Sequence, residues 1–489
     1  MRMSHAKMYA RLLESDATCN GRFFTGVLTT GIYCLPSCKA RKPKPENVRF
    51  FPTCEAARLA GLRACRKCHP DDFARGADPV LADVEALVAE INAAPALFPD
   101  VRTVVRRSGF GPTRLFELFR QHYQRTPADV LLRARIAGAC RLLLTSDAGL
   151  LKIAASVGFD ASSAFHENFR RLTGMTPASF RDLRTNTAFT LHLPEHYPLG
   201  YLRRALGRDS QSLTERLEGN RCTLALRLCV GPAVLALELS PDKVHAHLEL
   251  ATVSSPPAQS TDATISPAVE AHAITVGLVG LDQDSAAFSR LAGKLGLGRL
   301  VAQRTELRIA QTPSIFEGLL WSIIGQQINF AFACTLRRRL VELTGTKLAN
   351  GLYAPPTPAA VAALEPGDLL PLQFSRSKAE YVISISRLVA NGTLDLAALR
   401  TMSATRAERT LLAIRGLGPW SVNYLMMRAL GFPDCVPLGD TGVTSGLQSA
   451  LKLETRPDID ATRRLMAMFS PYRSLATAHL WQFKQPLPI

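Results

Sequence analysis

The sequence predicts a multidomain α+β protein that is mainly α, and three observations carry that prediction. The chain has 489 residues, too many for one core and enough for about three domains. A helical unit repeats at an interval of about 50 residues within 78–184. Strand-like apolar runs, "CTLALRLCV" and "AVLALELS", fall within 188–250, and helical apolar patterns take over beyond them.

Charge narrows the partners. The composition is that of a globular protein, 47% hydrophobic and 20% charged, but the net charge is +17 and the pI about 9.7. Residues 1–184 hold 28 basic and 17 acidic side chains. A basic front end suits a polyanion, nucleic acid ahead of membrane. The start, "MRMSHAKMYARLLESD", has no apolar core of signal-peptide length, and no run approaches a membrane span. Eleven cysteines without an export signal are expected to be mostly reduced.

The first element of interest is "TTGIYCLPSCKARKPKPENVRFF" (29–51), followed by "LRACRKCHP". Cys34, Cys38, Cys65 and Cys68 read C-x3-C, a spacer of 26, then C-x2-C. Close pairs on turns can bring four sulfurs onto one tetrahedral ion, with zinc the default. Two redox pairs or a purely structural knuckle fit the same spacing. The other seven cysteines are scattered singly and read as small buried hydrophobes. Over about residues 6–75, "FTGVLTTGIYCLPSCKAR", "ENVRFF" and "EAARLAGLRACRKCHP" resemble the N-terminal domain of the Ada-type adaptive-response proteins. The resemblance implies a small α/β domain, 1–76, in which one Zn²⁺ keeps four thiolates. It implies that Cys34 irreversibly takes a methyl group from a methylated DNA phosphate, with Thr30, Arg41 and Arg63 at the phosphotriester. The chemistry is consistent, since a free thiol is mostly protonated at neutral pH and a metal-bound one is an anion.

Next come "LFELFRQHYQRTPAD" (115–129) and "FHENFRRLTGMTPAS" (165–179), which superpose Phe119 on Phe169, Arg120 on Arg170 and Thr126-Pro127-Ala128 on Thr176-Pro177-Ala178. Each follows a short helical segment ending near Gly109 or Gly158, giving helix, tight turn, helix, twice. In the second copy Phe165, Phe169 and Leu172 form a buried stripe. Ser162, His166 and Arg170 then face outward, available to a major groove. The run "IAASVGFDASSAFHENFRRLTGMTPASFR" resembles the AraC-type DNA-binding domain, two helix-turn-helix units on a linking helix, here "PADVLLRARIAGACRLLLTS". The match spans 78–184 and is better in the second unit than in the first.

After "RDLRTNTAF" the composition changes. A strand-rich part, 188–270, ends in the Ser/Thr/Pro-rich run "TVSSPPAQSTDATISPA" (252–268), expected as a flexible loop. The part 271–489 holds "LLAIRGLGPWSVNYLMMRALGFPDCVPLGDTGV" (411–443). Gly416 and Gly418 allow a tight turn between helices, with amides free to face a phosphate. A hairpin, a helix and an Asp about 20 residues on resemble the helix-hairpin-helix DNA glycosylases. "FEGLLWSIIGQQINFAFACTL" and "SPYRSLATAHLWQF" narrow the resemblance to the AlkA-type 3-methyladenine glycosylases, whose small sheet-and-helix domain would be 188–270.

That resemblance implies Asp440 as the catalytic carboxylate, stabilising an oxocarbenium-like sugar, and Trp420, Tyr424 and Trp481 as the base pocket. Aromatic faces suit cationic alkylated purines, each contact contributing about 0.5–2 kcal/mol, and flipping exposes the base. Bifunctional members carry an amine where Trp420 stands, so no Schiff base is expected. No cysteine follows Cys435, so no iron–sulfur cluster is expected either. Gln327 stands where the family inserts an aliphatic wedge into DNA, and Gly439 replaces an acidic neighbour of the catalytic residue. Both departures bear on lesion range and rate, not reaction class. No Pro-Cys-His-Arg motif occurs, so reversal of O6-methylguanine is not expected.

The resemblances together imply a fused alkylation-response protein acting on double-stranded DNA. They imply RNA polymerase as a partner, a monomer, and a cytoplasmic place at the nucleoid. Two other readings stay open on the sequence: a regulator whose inactive C-terminal half senses lesions, and a repair enzyme whose helix-turn-helix units supply only non-specific affinity.

Overall fold

The structure, a computed structural model, describes residues 3–76, 78–251, 266–483 and 485. Of the expected flexible loop, 252–265 lie outside the described residues. The chain divides into two compact units, Met1–Ala89 and Glu90–Ile489. Among the described residues no helix is long and apolar enough to cross a membrane.

In the first unit α1 (His5–Leu13) precedes β1 (Phe24–Val27), β2 (Ile32–Cys34), β3 (Val48–Phe51), α2 (Cys54–Leu59), β4 (Arg63–Ala64) and α3 (Pro70–Ala74). The strands form one sheet in the order β3-β1-β2-β4. A small core of Phe24, Tyr33, Leu35, Phe51 and Leu62 fills one side. Gly26 lies so close beneath it that a Cβ would fall 2.5 Å from Leu62 and 2.6 Å from the Phe51 ring. The pairing that matters is β2 with β4, which is parallel, Ile32 opposite Arg63 and Tyr33 opposite Ala64. Parallel strands end at the same edge, so Cys34 and Cys65 emerge side by side.

The division between units falls inside α4 (Pro79–Ala93). The second unit continues with α5 (Val101–Ser108), α6 (Pro112–Tyr123), α7 (Pro127–Thr145), α8 (Leu150–Ser156), α9 (Ser162–Thr173) and α10 (Pro177–Arg181). The repeated Thr-Pro-Ala is a helix start used twice. Thr126 and Thr176 accept the amides of Asp129 and Ser179 at 3.1 and 3.2 Å, and proline follows where a missing N–H costs nothing. Gly109 (φ +68°) and Gly158 (φ +93°) make the turns of the two units.

A five-stranded antiparallel sheet follows, β5 (Ala188–His192), β6 (Glu215–Glu218), β7 (Arg221–Leu228), β8 (Gly231–Leu239) and β9 (Lys243–Leu250), with α11 (Leu199–Leu206) after β5. Its order is β5-β9-β8-β7-β6. The two apolar runs read as strands are β7 and β8, whose inward residues Leu224, Leu226, Leu235 and Leu237 are buried.

The remaining elements are α12 (Pro267–Val279), α13 (Ser285–Lys294), α14 (Gly298–Val301), α15 (Ile315–Ile324) and α16 (Phe330–Thr344), then the short β10 (Thr346–Lys347) and β11 (Tyr353–Ala354). After them run α17 (Pro358–Ala362), α18 (Pro366–Leu369), α19 (Arg376–Ala390), α20 (Leu396–Thr401), α21 (Ala404–Leu412), α22 (Pro419–Arg428), α23 (Thr441–Ala450), α24 (Ile459–Ala467) and α25 (Arg473–Gln482).

Two cores hold this unit. One runs from Ile136 to Leu281, joining α7–α10, the sheet and α12. The expected junction at 184–188 therefore lies inside a continuous core. Polar ties cross it: His192 N donates to Gly174 O (2.7 Å), and His272 Nε2 to Thr173 O (2.7 Å). The other core runs from Phe288 to Leu480. The C-terminal end of α6 docks on α21 and the loop after α22. Buried His122 places Nδ1 2.9 Å from Thr405 Oγ1, and Gln124 Oε1 accepts the Asp434 amide at 2.8 Å.

Candidate functional sites

The four cysteines meet at the sheet edge that β2 and β4 share. Cys65 N donates to Tyr33 O (3.0 Å), and Cys38 N closes a turn onto Leu35 O (3.1 Å). The sulfurs of Cys34, Cys38, Cys65 and Cys68 all lie within 4.8 Å of one another. A tetrahedron with Zn–S bonds of about 2.3 Å has S···S edges of about 3.8 Å. Backbone amides already point at sulfur: Leu35 N to Cys68 Sγ at 3.3 Å and Lys67 N to Cys65 Sγ at 3.4 Å. Hydrogen bonds to Cys38, Cys65 and Cys68 push the Cys34 thiol up, whereas those from Cys34, Cys38 and Cys68 pull Cys65 down. Four such donors, three of them buried, fit one Zn²⁺, which when bound keeps every sulfur anionic. Thr30, Arg41 and Arg63 are all exposed. Arg63 N donates to Gly31 O (2.9 Å), which brings it beside the turn that carries Thr30.

On α9, Phe165 and Phe169 are fully buried, Leu172 nearly so, Ser162 and Arg170 exposed, and His166 partly exposed. His166 Nδ1 lies 2.8 Å from Ser162 O and donates to it. On α6 the equivalent positions are Phe116, 45% exposed, and Arg120, whose guanidinium lies 5.3 Å from the Phe116 ring centroid. The two outer faces thus differ in chemistry, and the far ends of α6 and α9 are anchored to different parts of the unit, α6 through His122 and Gln124 and α9 through Thr173 and Gly174.

The third site is a cavity of about 540 Å³ in the second unit, with Asp440 in its wall. Asp440 caps α23 by accepting the Val443 amide (3.0 Å). The same carboxylate accepts Trp481 Nε1 at 2.9 Å and Trp420 Nε1 at 3.2 Å. Tyr424 stacks on Trp420, centroids 5.3 Å apart and planes 18° apart. The structure thus brings Asp440, Trp420, Tyr424 and Trp481 together. It adds residues the sequence reading missed. Trp321 donates to the Tyr424 hydroxyl (3.0 Å), and its place on α15, just before the Gln327 loop, was the available signal. Tyr201 and Arg208 also line the cavity, and nothing local in the sequence points from 201–208 to 420–481.

The hairpin is built between α21 and α22. Gly416 has φ +97°, and a Cβ there would enter the Tyr381 ring; Gly418 is exposed and starts α22. Gln326 Nε2 donates to Gly416 O (2.8 Å) and Ser421 Oγ (2.9 Å), tying the hairpin to the α15–α16 loop. Half-buried Lys378 donates to the Ile323, Ile324 and Gln326 carbonyls at 2.6–3.2 Å, and desolvation lowers its pKa to about 8. On that loop Gln327 is exposed with φ +56°. Gly439 has φ +91°, a backbone that an acidic residue enters only with strain.

Comparisons with known proteins fall on the same three stretches. Family models match the metal binding domain of Ada at 7–71, a helix-turn-helix domain at 104–182, and an HhH-GPD superfamily base excision DNA repair protein at 320–471. A DNA-3-methyladenine glycosylase of Bacillus subtilis is 35% identical, covering 41% of this chain and 68% of that one. The bifunctional transcriptional activator/DNA repair enzyme AdaA of the same organism is 30% identical, covering 35% and 80%. The chain belongs to both families, the Ada-type activators and the HhH-GPD glycosylases. The fusion itself has a relative: a probable bifunctional transcriptional activator/DNA repair enzyme AlkA of Mycobacterium tuberculosis is 28% identical, covering 97% of this chain and 95% of that one. The fold of the glycosylase part matches a 3-methyladenine DNA-glycosylase from Archaeoglobus fulgidus, with a TM-score of 0.52, 20% identity, and coverage of 62% of this chain and all of that one. The chain is therefore multidomain and mainly α.

Proposed function

We propose that this chain is an alkylation-response protein that repairs DNA at two centres and uses the first to control transcription. At the cysteine cluster the Cys34 sulfur attacks the methyl carbon of a DNA methylphosphotriester. The methyl C–O bond breaks, the phosphodiester leaves as an anion, and Cys34 ends as a thioether that nothing restores. Thr30, Arg41 and Arg63 hold the phosphate. The conversion removes one negative charge from a basic surface that faces DNA, which favours phosphate binding. The helix-turn-helix units then hold a promoter, α9 reading bases through Ser162, His166 and Arg170, with RNA polymerase as the protein partner. We place the chain as a monomer in the cytoplasm, at the nucleoid.

At the cavity an alkylated purine flips between the aromatic faces of Trp420, Tyr424 and Trp481. Asp440 stabilises the positive sugar as the base departs and orients the water that replaces it, without an enzyme amine. Gly416 and Gly418 approach the backbone phosphates, and Gln327 enters the space the base vacated. The observation that carries this reading is the Asp440 carboxylate held by two indole N–H groups in the cavity wall. A lesion sensor without chemistry would need no oriented carboxylate there.

Incubating the full chain with randomly methylated duplex DNA tests both centres. We expect free 3-methyladenine and 7-methylguanine in solution, and one retained methyl group mapped by peptide mass to Cys34. A methyl on Cys38, Cys65 or Cys68, or no released base, would overturn the corresponding half.

A further inference from the structure

The cavity around Asp440 carries more positive charge than an aromatic box for cationic bases requires. Arg204, Arg208, Arg308 and Arg428 line it, and Asp440 is the carboxylate in its wall. Arg308 is committed elsewhere, to Glu306 (3.0 Å) and to the Gly280 and Gln283 carbonyls. Arg204 donates to Gln482 Oε1 (3.2 Å). Arg208 and Arg428 differ. Among the described residues neither side chain meets a carboxylate or another hydrogen-bond acceptor, and Arg428 Nε is buried without a partner. Arg208 lies on the exposed rim, its guanidinium 4.1 Å from the Phe330 ring centroid.

We propose that Arg208 and Arg428 select purines carrying a carbonyl oxygen at C6 over purines carrying an amino group there. The inference rests on the base-excision reading above and narrows its substrate class. A guanidinium offers only donors. The C6 carbonyl of guanine or hypoxanthine is an acceptor that an arginine N–H meets even where N7 is methylated, whereas the adenine amino group sets donor against donor. 7-Methylguanine keeps that carbonyl. 3-Methyladenine has the amino group; both bases are cationic in DNA, so the difference between them at two unpaired guanidiniums is the C6 acceptor. Stacking on Trp420 and Tyr424 then serves every alkylated purine, and the arginines supply the choice.

The test uses full-length protein and randomly methylated duplex DNA, with released 7-methylguanine and 3-methyladenine quantified together by mass spectrometry. We expect the ratio of their release rates to fall about tenfold in Arg428→Met and in Arg208→Met, with excision from a hypoxanthine duplex falling alongside. An unchanged ratio overturns the proposal. So does an equal loss for both bases with a shallower salt dependence, the signature of a phosphate contact. Arg208→Met, on the rim, decides the matter where Arg428→Met does not fold. If the wild type releases no base, the base-excision reading fails and this one with it. Release in a ratio indifferent to both substitutions sinks the arginine reading alone.

Discussion

The Asp440 carboxylate accepts three hydrogen bonds, one from the Val443 amide in the first turn of α23 and two from indole nitrogens. The first is the ordinary work of a helix cap, and asparagine does it about as well. The others fix a negative oxygen in an aromatic wall, which asparagine cannot replace. Asp440→Asn in the full chain should therefore keep the fold and DNA binding while base release falls at least about 10²–10³-fold, the usual cost of removing one oriented electrostatic group. Near-full release by the Asn variant would remove Asp440 from the chemistry. The distance from the hairpin to Asp440 was legible in the sequence, because both lie on one short stretch. The bond from Trp481 was not, since it joins positions 41 apart through the packing of α25 on α23.

At the scale of elements, repetition was easy to read and asymmetry was not. Phe119 and Phe169 are buried at matching places, and both Thr-Pro starts cap helices. Yet α6 ends in His122 and Gln124, which bond residues about 300 positions away, and no local pattern announces such a partner. The hairpin is the opposite case, since "GLG" states its own geometry. Gly416 sits at φ +97° against the Tyr381 ring, where a Cβ would come within 2.5 Å of it. Gly416→Ala should cost at least about 1–2 kcal/mol from backbone strain alone and push Tyr381 out of place. A denaturation midpoint followed by tryptophan fluorescence reads the loss directly. No shift would mean that the turn accepts a side chain, and the phosphate-facing role of its amides would lose its basis.

For the whole molecule, the three functional parts were legible because each carries a dense motif: four cysteines, a repeated helix pair, a hairpin before an aspartate. Where one part stops was not legible, because buried faces that meet across 100 residues leave no mark in composition. The junction near 184–188 is polar in sequence, but Phe169, Leu172, Phe180 and Leu183 before it share a core with Leu191, Leu235 and Leu237 after it. Each such side chain contributes about 1.5–3 kcal/mol when buried, so exposing several outweighs a typical domain stability of about 5–15 kcal/mol. Cutting there would also remove Gln124 from the loop that leads to Asp440. A chain of residues 188–489 should therefore aggregate or unfold at much lower temperature, whereas 78–489, which keeps α4 whole, should melt cooperatively and release methylated bases at the full-length rate. Thermal melting, light scattering and base release compared between the two fragments decide it. A 188–489 fragment that stayed monomeric, as stable and as active as 78–489, would mean that the shared core is a seam between separable domains.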